Sequence, residues 1–281
     1  MDCSRRFIQC DVFTDTPTKG NALAVVLDAE GLSDEAMASF AAWTNLAETT
    51  FVLPTDDPAA DYHLRIFTPV REMPFAGHPT LGSCAAWLHV GGRPKQPGVV
   101  RQLCGVGIVE IFVDRDVPAF VAPPTAIRPM PEVDRKRIGK KLRLGEHAIV
   151  ETAVLDNGPV WQVFELRSAE DVLAVDAMSV RWPDEKSIGL IGPHPGGSDC
   201  DYEVRMLAPS SGMSEDPITG SLNAALAHWF AMRKQLKDTM RVAQGRIINR
   251  HGRVFVSREG ESVLIGGQTQ ILIDGAVTLP A

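Results

Sequence analysis

The chain has 281 residues, enough for one large domain or for two domains of about 140 residues each. Hydrophobic residues make up 44% of the chain and charged residues 22%, which is typical of a globular protein. A net charge of −7, without a basic cluster of note, argues against nucleic acid or an anionic membrane as the partner.

The five cysteines are scattered, and no two of them form a C-x-x-C pair. This distribution indicates neither a zinc site nor a disulfide framework. The N-terminus lacks the apolar core of a signal peptide, and no apolar run approaches the ~18 residues of a membrane helix. We therefore expect reduced thiols and a cytoplasmic protein.

In chain order, the first elements predicted are strands at residues 7–13 and 22–27, joined by a turn around Gly20-Asn21. Ser33, followed by two acidic residues, predicts a helix at 34–43. Glu48 then stands where an apolar, β-branched strand begins. Partial desolvation at such a place raises a carboxyl pKa toward values useful for proton transfer, although Glu48 alone also fits an exposed loop residue.

Two similar stretches follow, Pro74-Phe-Ala-Gly-His-Pro-Thr-Leu and Glu215-Asp-Pro-Ile-Thr-Gly-Ser-Leu. In each, a proline and a glycine precede a long apolar run, so each predicts a loop entering a buried helix. A helix start carries unpaired N–H groups and a positive dipole end, which suit a carboxylate or phosphate. Gly77 and Gly220 would let such an anion approach the backbone. An ordinary core helix also fits either stretch, but two matching copies favour a site.

The remaining elements repeat the order of the first half. After strands at 63–67, 99–103 and 108–113, the proline-rich residues 118–131 are interpreted as a crossover. The repeated order predicts two similar halves, each with strands around a central helix. The pattern leaves open which half the last strand joins. The second half is predicted to contain strands at 150–155, 160–166 and 202–208, a helical stretch at 169–176, and strands at 240–244, 247–248, 254–257, 262–265 and 269–273.

Two facing halves would bring both helix starts to one cleft. Such a cleft would offer backbone donors with His78, Asp216 and Ser221, and also Glu48 if the start of its strand lies at the cleft. These groups suit proton transfer on a small carboxylic acid. The chain contains no G-x-S-x-G, P-loop or H-E-x-x-H motif, and its seven histidines fall at no metal-ligand spacing.

Several motifs, in order along nearly the whole chain, resemble the PhzF-like phenazine-biosynthesis isomerase family. They are Gly20-Asn21, Asn45-Leu-Ala-Glu-Thr-Thr-Phe, Arg65-Ile-Phe-Thr-Pro-Val, Pro74-Phe-Ala-Gly-His-Pro-Thr-Leu-Gly, Glu215-Asp-Pro-Ile-Thr-Gly-Ser and Gln244-Gly245. The resemblance implies an α+β, diaminopimelate-epimerase-like fold of two pseudo-symmetric halves, each a curled mixed sheet around a central helix. It implies domains at 1–120 plus 267–281 and at 121–266, with the last strand in the first.

The resemblance also implies a function. The phenazine enzyme isomerises trans-2,3-dihydro-3-hydroxyanthranilate by moving a proton between ring carbons. Carried over by motif, Glu48 would be the general acid/base, while His78 and Asp216 would position the substrate's polar groups. Gly77, Gly220 and Ser221 would supply the anion-binding helix starts. A homodimer without cofactor or metal is implied as well.

Two alternatives stay open at this stage. An amino-acid epimerase of this fold would place a thiol in each helix-start motif, and Ala76 and Pro217 stand at about those positions, which opposes a two-cysteine mechanism. A non-catalytic family member that binds a small molecule or a protein is the other alternative. The polar residues retained in all three motifs weigh against it.

Overall fold

Residues 2–180, 187–208 and 214–280 are described by the structure, which is a computed structural model. The chain divides into two units, residues 1–121 with 266–281 and residues 122–265. The boundaries predicted from the sequence lie within about one residue of these. Within each unit the strands pair in a mixed parallel and antiparallel order.

The first unit begins with strands that alternate around one acidic, N-capped helix. Ser33 Oγ accepts a hydrogen bond from Ala36 N at 3.2 Å, and Asn45 ends the helix in the left-handed conformation. Its elements up to residue 121 are β1 (Asp2–Val12), β2 (Asn21–Val26), α1 (Asp34–Thr44), β3 (Glu48–Leu53), β4 (Tyr62–Phe67), β5 (Glu72–Met73), α2 (Gly77–His89), β6 (Val99–Cys104), β7 (Gly107–Phe112) and β8 (Ala119–Val121).

The sheet of this unit encloses α2. Pairing is antiparallel for β1–β2, parallel for β2–β3, antiparallel for β3–β4, parallel for β4–β6 and antiparallel for β6–β7. The helix contacts β1, β2, β3 and β6, and every residue from Gly77 to Cys84 is buried. A helix covered on several sides needs apolar residues nearly all round, which explains the sequence of α2.

The second unit repeats this arrangement. Its helix α5 is buried from Gly220 to Ala227. Its elements are β9 (Ala126–Pro129), α3 (Glu132–Lys141), β10 (Ile149–Asp156), β11 (Val160–Leu166), α4 (Ala169–Ala174), β12 (Ile188–Pro193), β13 (Tyr202–Leu207), β14 (Glu215–Asp216), α5 (Gly220–Met232), β15 (Thr239–Gln244), β16 (Gly252–Glu259) and β17 (Ser262–Gly266).

The order of strand pairing in the second unit matches that in the first. It is antiparallel for β10–β11, parallel for β11–β12, antiparallel for β12–β13, parallel for β13–β15 and antiparallel for β15–β16. Strand by strand, β10 to β16 therefore correspond to β1 to β7, and α4 and α5 correspond to α1 and α2. The predicted α+β fold, with two similar halves and a central helix in each, is confirmed.

The last strand, β18 (Thr269–Pro280), lies in the first unit. It pairs antiparallel with β1 along its length, from Asp2 opposite Pro280 to Val12 opposite Thr269. Leu279 joins a hydrophobic cluster with Val26 and Phe40. The sheet of the first unit is therefore completed by the chain's C-terminal segment.

One local prediction is wrong, and one strand was not predicted. Residues 247–248, predicted as a strand, lie in a 3₁₀ turn, Arg246–Ile248, flanked by Gly245 (φ 94°) and Asn249 (φ 59°) in left-handed conformations. The predicted crossover at 118–131 contains the boundary between the two units, after Val121, and it also contains the short strands β8 and β9. Strand β12 was missed because its glycines and terminal proline obscure the strand pattern. Among the described residues, every helix is too short or too polar to cross a lipid bilayer.

Candidate active site

Glu48 is the first residue of β3, and the register of the sheet fixes its position. It lies opposite Leu23 of the parallel strand β2, and Leu23 is two residues after Asn21 in the chain. A hydroxyl contact of 2.7 Å between Thr44 and Thr49 holds the end of α1 beside the strand start. The Glu48 side chain is 18% exposed. A carboxylate in this setting is accessible and only partly hydrated.

The imidazole of His78 lies against this carboxylate. His78 Nε2 and Glu48 Oε2 are 3.3 Å apart, and His78 Nδ1 is 3.3 Å from Asn21 Nδ2. Because an amide nitrogen donates, Nδ1 is the acceptor, and the proton of the neutral ring is assigned to Nε2, facing Glu48. Burial lowers the pKa of His78 to about 3. The pair is therefore a carboxylate beside a neutral imidazole.

The turn that carries Asn21 requires glycine. Gly20 N donates to Asp11 Oδ2 at 2.8 Å, and a Cβ on Gly20 would lie 2.3 Å from Val12 O. This close approach closes the turn between β1 and β2 and sets Asn21 at the first position of β2. The Gly20-Asn21 pair seen in the sequence thus positions a partner of His78.

Helix α2 begins immediately before His78. Its N-cap is Ala76, which has extended backbone angles and no side chain able to accept a hydrogen bond. Gly77 and His78 are the first two helical residues, where backbone N–H groups point out of the helix. A cation is unfavourable at this dipole end, in keeping with a neutral His78. The helix start is suited to an anion.

Asp216, the last residue of β14, is tied to the start of α5 in the second unit. It is buried, and its Oδ2 accepts a hydrogen bond from Thr219 Oγ1. Gln244 Oε1 accepts from Thr219 N and from Asn223 Nδ2, each at 3.1 Å, and Gln244 Nε2 donates to Thr219 Oγ1 at 3.0 Å. The Gln244 amide at the end of β15 therefore fixes the loop between Asp216 and α5.

Thr219 is the N-cap residue of α5, and Gly220 and Ser221 are its first two helical residues. Both are buried. Asn157 Nδ2 donates to Ser221 O at 2.8 Å, and Trp161 Nε1 donates to Asn157 Oδ1 at 2.9 Å. Asn157, in the turn between β10 and β11, thus holds this helix start as Asn21 holds His78 in the first unit.

A paired arginine and glutamate precede each helix start. Arg65 on β4 binds Glu72 on β5 through Nε and Nη2 at 2.8 and 2.7 Å. Arg205 on β13 binds Glu215 on β14 with contacts of 2.7 to 3.1 Å. The same forked geometry in both units attaches the short strand that leads into the buried helix.

With this geometry in view, comparisons with known proteins identify the family. The family model described as phenazine biosynthesis-like protein, PhzC-PhzF, matches residues 10–275. The chain belongs to this family.

Relatives of this PhzF-family chain cover almost its whole length. One is the protein named antisense-enhancing sequence 1 of Schizosaccharomyces pombe, 33% identical over 96% of this chain and 97% of that protein. Another is trans-2,3-dihydro-3-hydroxyanthranilate isomerase of Pseudomonas aeruginosa, 32% identical over 91% of each chain. The crystal structure of a PhzF-family protein of Bacillus anthracis matches with a TM-score of 0.83 at 21% identity, covering 98% of this chain and 99% of that one, which supports the fold.

One sequence interpretation needs correction. Ala76 and Pro217 were taken as the positions where a two-thiol epimerase would carry cysteine. The N-cap of α5 is Thr219, so the counterpart of Ala76 is Thr219 and not Pro217. Neither residue is a cysteine, and the buried Cys84 lies in the body of α2. The argument against a two-cysteine mechanism keeps its force at the corrected position.

The structure brings some predicted site residues together within each unit. In the first unit His78 lies directly against Glu48 and follows Gly77; in the second, Asp216 is joined to the helix start through Thr219. Sequence reasoning gave no role to Thr219, although its place before Gly-Ser at a helix start is an N-cap signal. Within the described residues, no three His, Cys, Asp or Glu side chains are grouped so as to hold a metal ion.

Proposed function

We propose that the protein is a cofactor-independent, PhzF-like isomerase that moves a proton on a small cyclic or unsaturated carboxylic acid. The contact between Glu48 and a neutral, buried His78 carries the proposal. Family membership and the relatives named as isomerases support it. The proposed substrate class includes trans-2,3-dihydro-3-hydroxyanthranilate, on which the Pseudomonas aeruginosa relative acts by its name.

Glu48 is the proposed general acid/base. Its carboxylate removes a proton from a substrate carbon and returns it to another carbon of the same conjugated system, so that substrate and product have the same composition. The ring of His78, with its Nε2 3.3 Å from Glu48 Oε2, limits the positions that the carboxylate can take. Because His78 is neutral, it does not add the full charge that would make Glu48 a weaker base.

Backbone N–H groups are proposed to bind the substrate carboxylate. Gly77, Gly220 and Ser221 occupy the first turns of α2 and α5, where the helix dipole favours negative charge. Asp216 is proposed to hold a donor group of the substrate, such as an amine or hydroxyl. Its bond from Thr219 fixes the orientation of that carboxyl group.

The test follows trans-2,3-dihydro-3-hydroxyanthranilate in deuterated buffer by absorbance and by mass. Wild type is expected to convert it and to incorporate solvent deuterium, and Glu48→Gln is expected to lose activity by about 10²–10⁴-fold. Glu35→Gln, a change at an exposed carboxylate on α1, is the matched control and is expected to react as wild type does.

Each result has a defined meaning. Full activity in Glu48→Gln would refute the proposed role of Glu48. Inactive wild type would exclude this substrate, and a panel of unsaturated cyclic acids would then be screened for deuterium uptake that depends on Glu48. A stable complex with a protein, and no deuterium uptake by any acid, would instead favour a non-catalytic member of the family.

We also propose a cytoplasmic homodimer that binds no nucleic acid. All five cysteines are free thiols, four of them buried, and the net charge is −7. Both features fit a reducing compartment and a surface that repels polyanions. Light scattering coupled to size exclusion checks the dimer, with a mass of about twice 30.5 kDa expected.

A further inference from the structure

The second unit contains a cavity of about 450 Å³ that includes none of the residues proposed for catalysis. Glu203 on β13 lies opposite Ala243 on the parallel strand β15, and the next pair is Val204 with Gln244. The side chain of Gln244 points toward α5. Because successive side chains alternate between the two faces of a sheet, the side chain of Ala243 points away from α5. The lining of this cavity includes His194, Asp199, Ala243, Arg246, His251 and Arg253.

Donor groups dominate the wall of this cavity. Arg246 and Arg253 are permanently charged, against one lining carboxylate, Asp199. Arg253 donates to Gly252 O at 2.9 Å and to His251 Nε2. His251 Nε2 is therefore an acceptor, and the ring proton lies on Nδ1, which adds a further N–H donor.

A buried glutamate behind the wall orients two of these side chains. Glu203 is 0% exposed, and its Oε2 lies 3.0 Å from His194 Nε2 and 3.5 Å from Arg246 Nη1. Its other oxygen, Oε1, has no hydrogen-bond partner among the described residues. A buried, half-satisfied carboxylate is costly, and it holds His194 and Arg246 in place at the cavity.

The first unit has different residues at the corresponding place. Because Arg65 and Arg205 are counterparts, Glu203 corresponds to His63, which is also two residues before its arginine. His63 lies opposite Leu103, as Glu203 lies opposite Ala243, so Leu103 is the counterpart of Ala243. Ala243 is smaller than leucine and leaves room beside the sheet. The second unit alone of the two therefore combines a small strand residue with a buried carboxylate at this place.

We propose that this cavity binds a small phosphate-bearing molecule through its tetrahedral, doubly charged oxyanion. Two guanidinium groups and the Nδ1–H group of His251 offer more donors than the two oxygens of a carboxylate use well, and they match three or four phosphate oxygens. The volume is that of a pocket for a small metabolite. Inorganic phosphate and a phosphomonoester are the two sources of this chemistry. The proposal is independent of the proposed isomerase activity.

Binding is coupled to proton uptake. Burial raises the pKa of Glu203 to about 7, although Arg246, Arg253 and Arg205 oppose this shift. His194, the other titratable group that faces Glu203, has a lowered pKa because of burial and the same two cavity arginines. A bound dianion repels the negative charge of the Glu203 carboxylate and therefore favours an additional proton on Glu203 or on His194. Affinity therefore falls as pH rises through about 7.

The experiment is calorimetric titration of the full chain with sulfate, phosphate, glycerol phosphate and acetate. Sulfate keeps its double charge across pH 6 to 8, so it isolates the titration of the protein. Saturable sulfate binding is expected, and Arg246→Gln or Arg253→Gln is expected to weaken it by about tenfold. Arg258→Gln, an exposed arginine on the same strand as Arg253, is the matched control and should change affinity less than about twofold.

The outcomes separate the possibilities. Tighter binding of glycerol phosphate than of phosphate identifies a phosphomonoester site, and equal or weaker binding identifies inorganic phosphate. Acetate binding as strong as sulfate binding, or sulfate binding unaffected by both arginine changes, overturns the proposal. Sulfate binding lost in Glu48→Gln also overturns it, because the anion would then occupy the proposed isomerase site. Arg246 has a side chain 51% exposed, so its replacement leaves the core intact.

Discussion

At the scale of the residue, burial decides the chemistry available to His78. Its ring is enclosed at the start of α2, with Asn21 on one nitrogen and Glu48 near the other. A protonated ring would have to accept a full charge in this setting, beside the positive end of a helix dipole. The adjacent carboxylate does not overcome these two costs, and the ring stays neutral.

Stability should therefore depend on the titration of His78. Its pKa is about 3 when folded and about 6.5 when unfolded, so between these values the unfolded chain binds the extra proton. The free energy of unfolding falls as pH falls through this range. Between pH 7 and pH 5 we expect wild type to lose about 2 kcal/mol more than His78→Asn, whose side chain does not titrate.

Urea unfolding of both proteins at the two pH values measures this difference. His78→Asn serves as its own control for every other titrating group, because those groups are present in both chains. Equal losses in the two proteins would mean that folding does not shift the pKa of His78, and a smaller loss in wild type would mean that the ring is charged when folded, as in an ion pair with Glu48. The ring carbon shifts of His78 in NMR spectra, expected to stay constant from pH 5 to 8, provide a second readout.

At the scale of the element, the two arginine–glutamate pairs show how burial changes the contribution of an ion pair of the same geometry to the free energy of unfolding. The side chains of Arg205 and Glu215 are 1% and 0% exposed, and Arg205 also donates to the backbone carbonyls of Val172 and Val175. The side chains of Arg65 and Glu72 are 20% and 43% exposed. Removing the glutamate leaves a buried arginine charge in the first case, and in the second a partly hydrated Arg65 that keeps its 2.6 Å bond to Asp34.

Glu215→Gln is thus expected to lower the free energy of unfolding by about 3–5 kcal/mol, and Glu72→Gln by about 0–1 kcal/mol. The two substitutions make the same chemical change at corresponding positions, so each is the control for the other. Urea denaturation at neutral pH measures both. Similar losses in the two variants would show that burial does not set the contribution of these pairs.

At the scale of the whole molecule, local signals in the sequence predicted most elements. Strand β11 has the predicted bounds, and a buried helix follows each of the two proline–glycine stretches as predicted, because apolar periodicity and turn residues act locally. The start of β3 at Glu48 was also predicted correctly. Strand β12 was not predicted, because its glycines have a low strand propensity and the strand forms through its pairing with β11 and β13 in the folded protein.

Contacts between distant residues could not be predicted in the same way. Asn21 and His78 are separated by 57 residues, and their contact depends on the register of a sheet. Arg246 and Glu203 are 43 residues apart, so their cavity leaves no local pattern. The motifs around Glu48, His78 and Asp216 were recognised through family resemblance, and their proposed roles await the kinetic test.

The connectivity of the first unit leads to a final prediction. Its sheet is complete when β18 pairs with β1, so residues from both ends of the chain share one core. Leu279 on β18 is 7% exposed and lies in that core, whereas Leu272 on the same strand is 41% exposed. Leu279→Ala should cost about 2–3 kcal/mol through lost burial and a cavity, and Leu272→Ala less than about 1 kcal/mol.

Hydrogen exchange followed by mass spectrometry shows which strands are destabilised by Leu279→Ala. In Leu279→Ala, amides of β1 and β2 should lose protection, because these strands depend on β18 for the edge of their sheet. Amides of β15 and β16, in the second unit, should exchange as in wild type. If the amides of β15 and β16 lost as much protection as those of β1 and β2, the prediction would be contradicted, because the last strand would then stabilise both units as one cooperative structure.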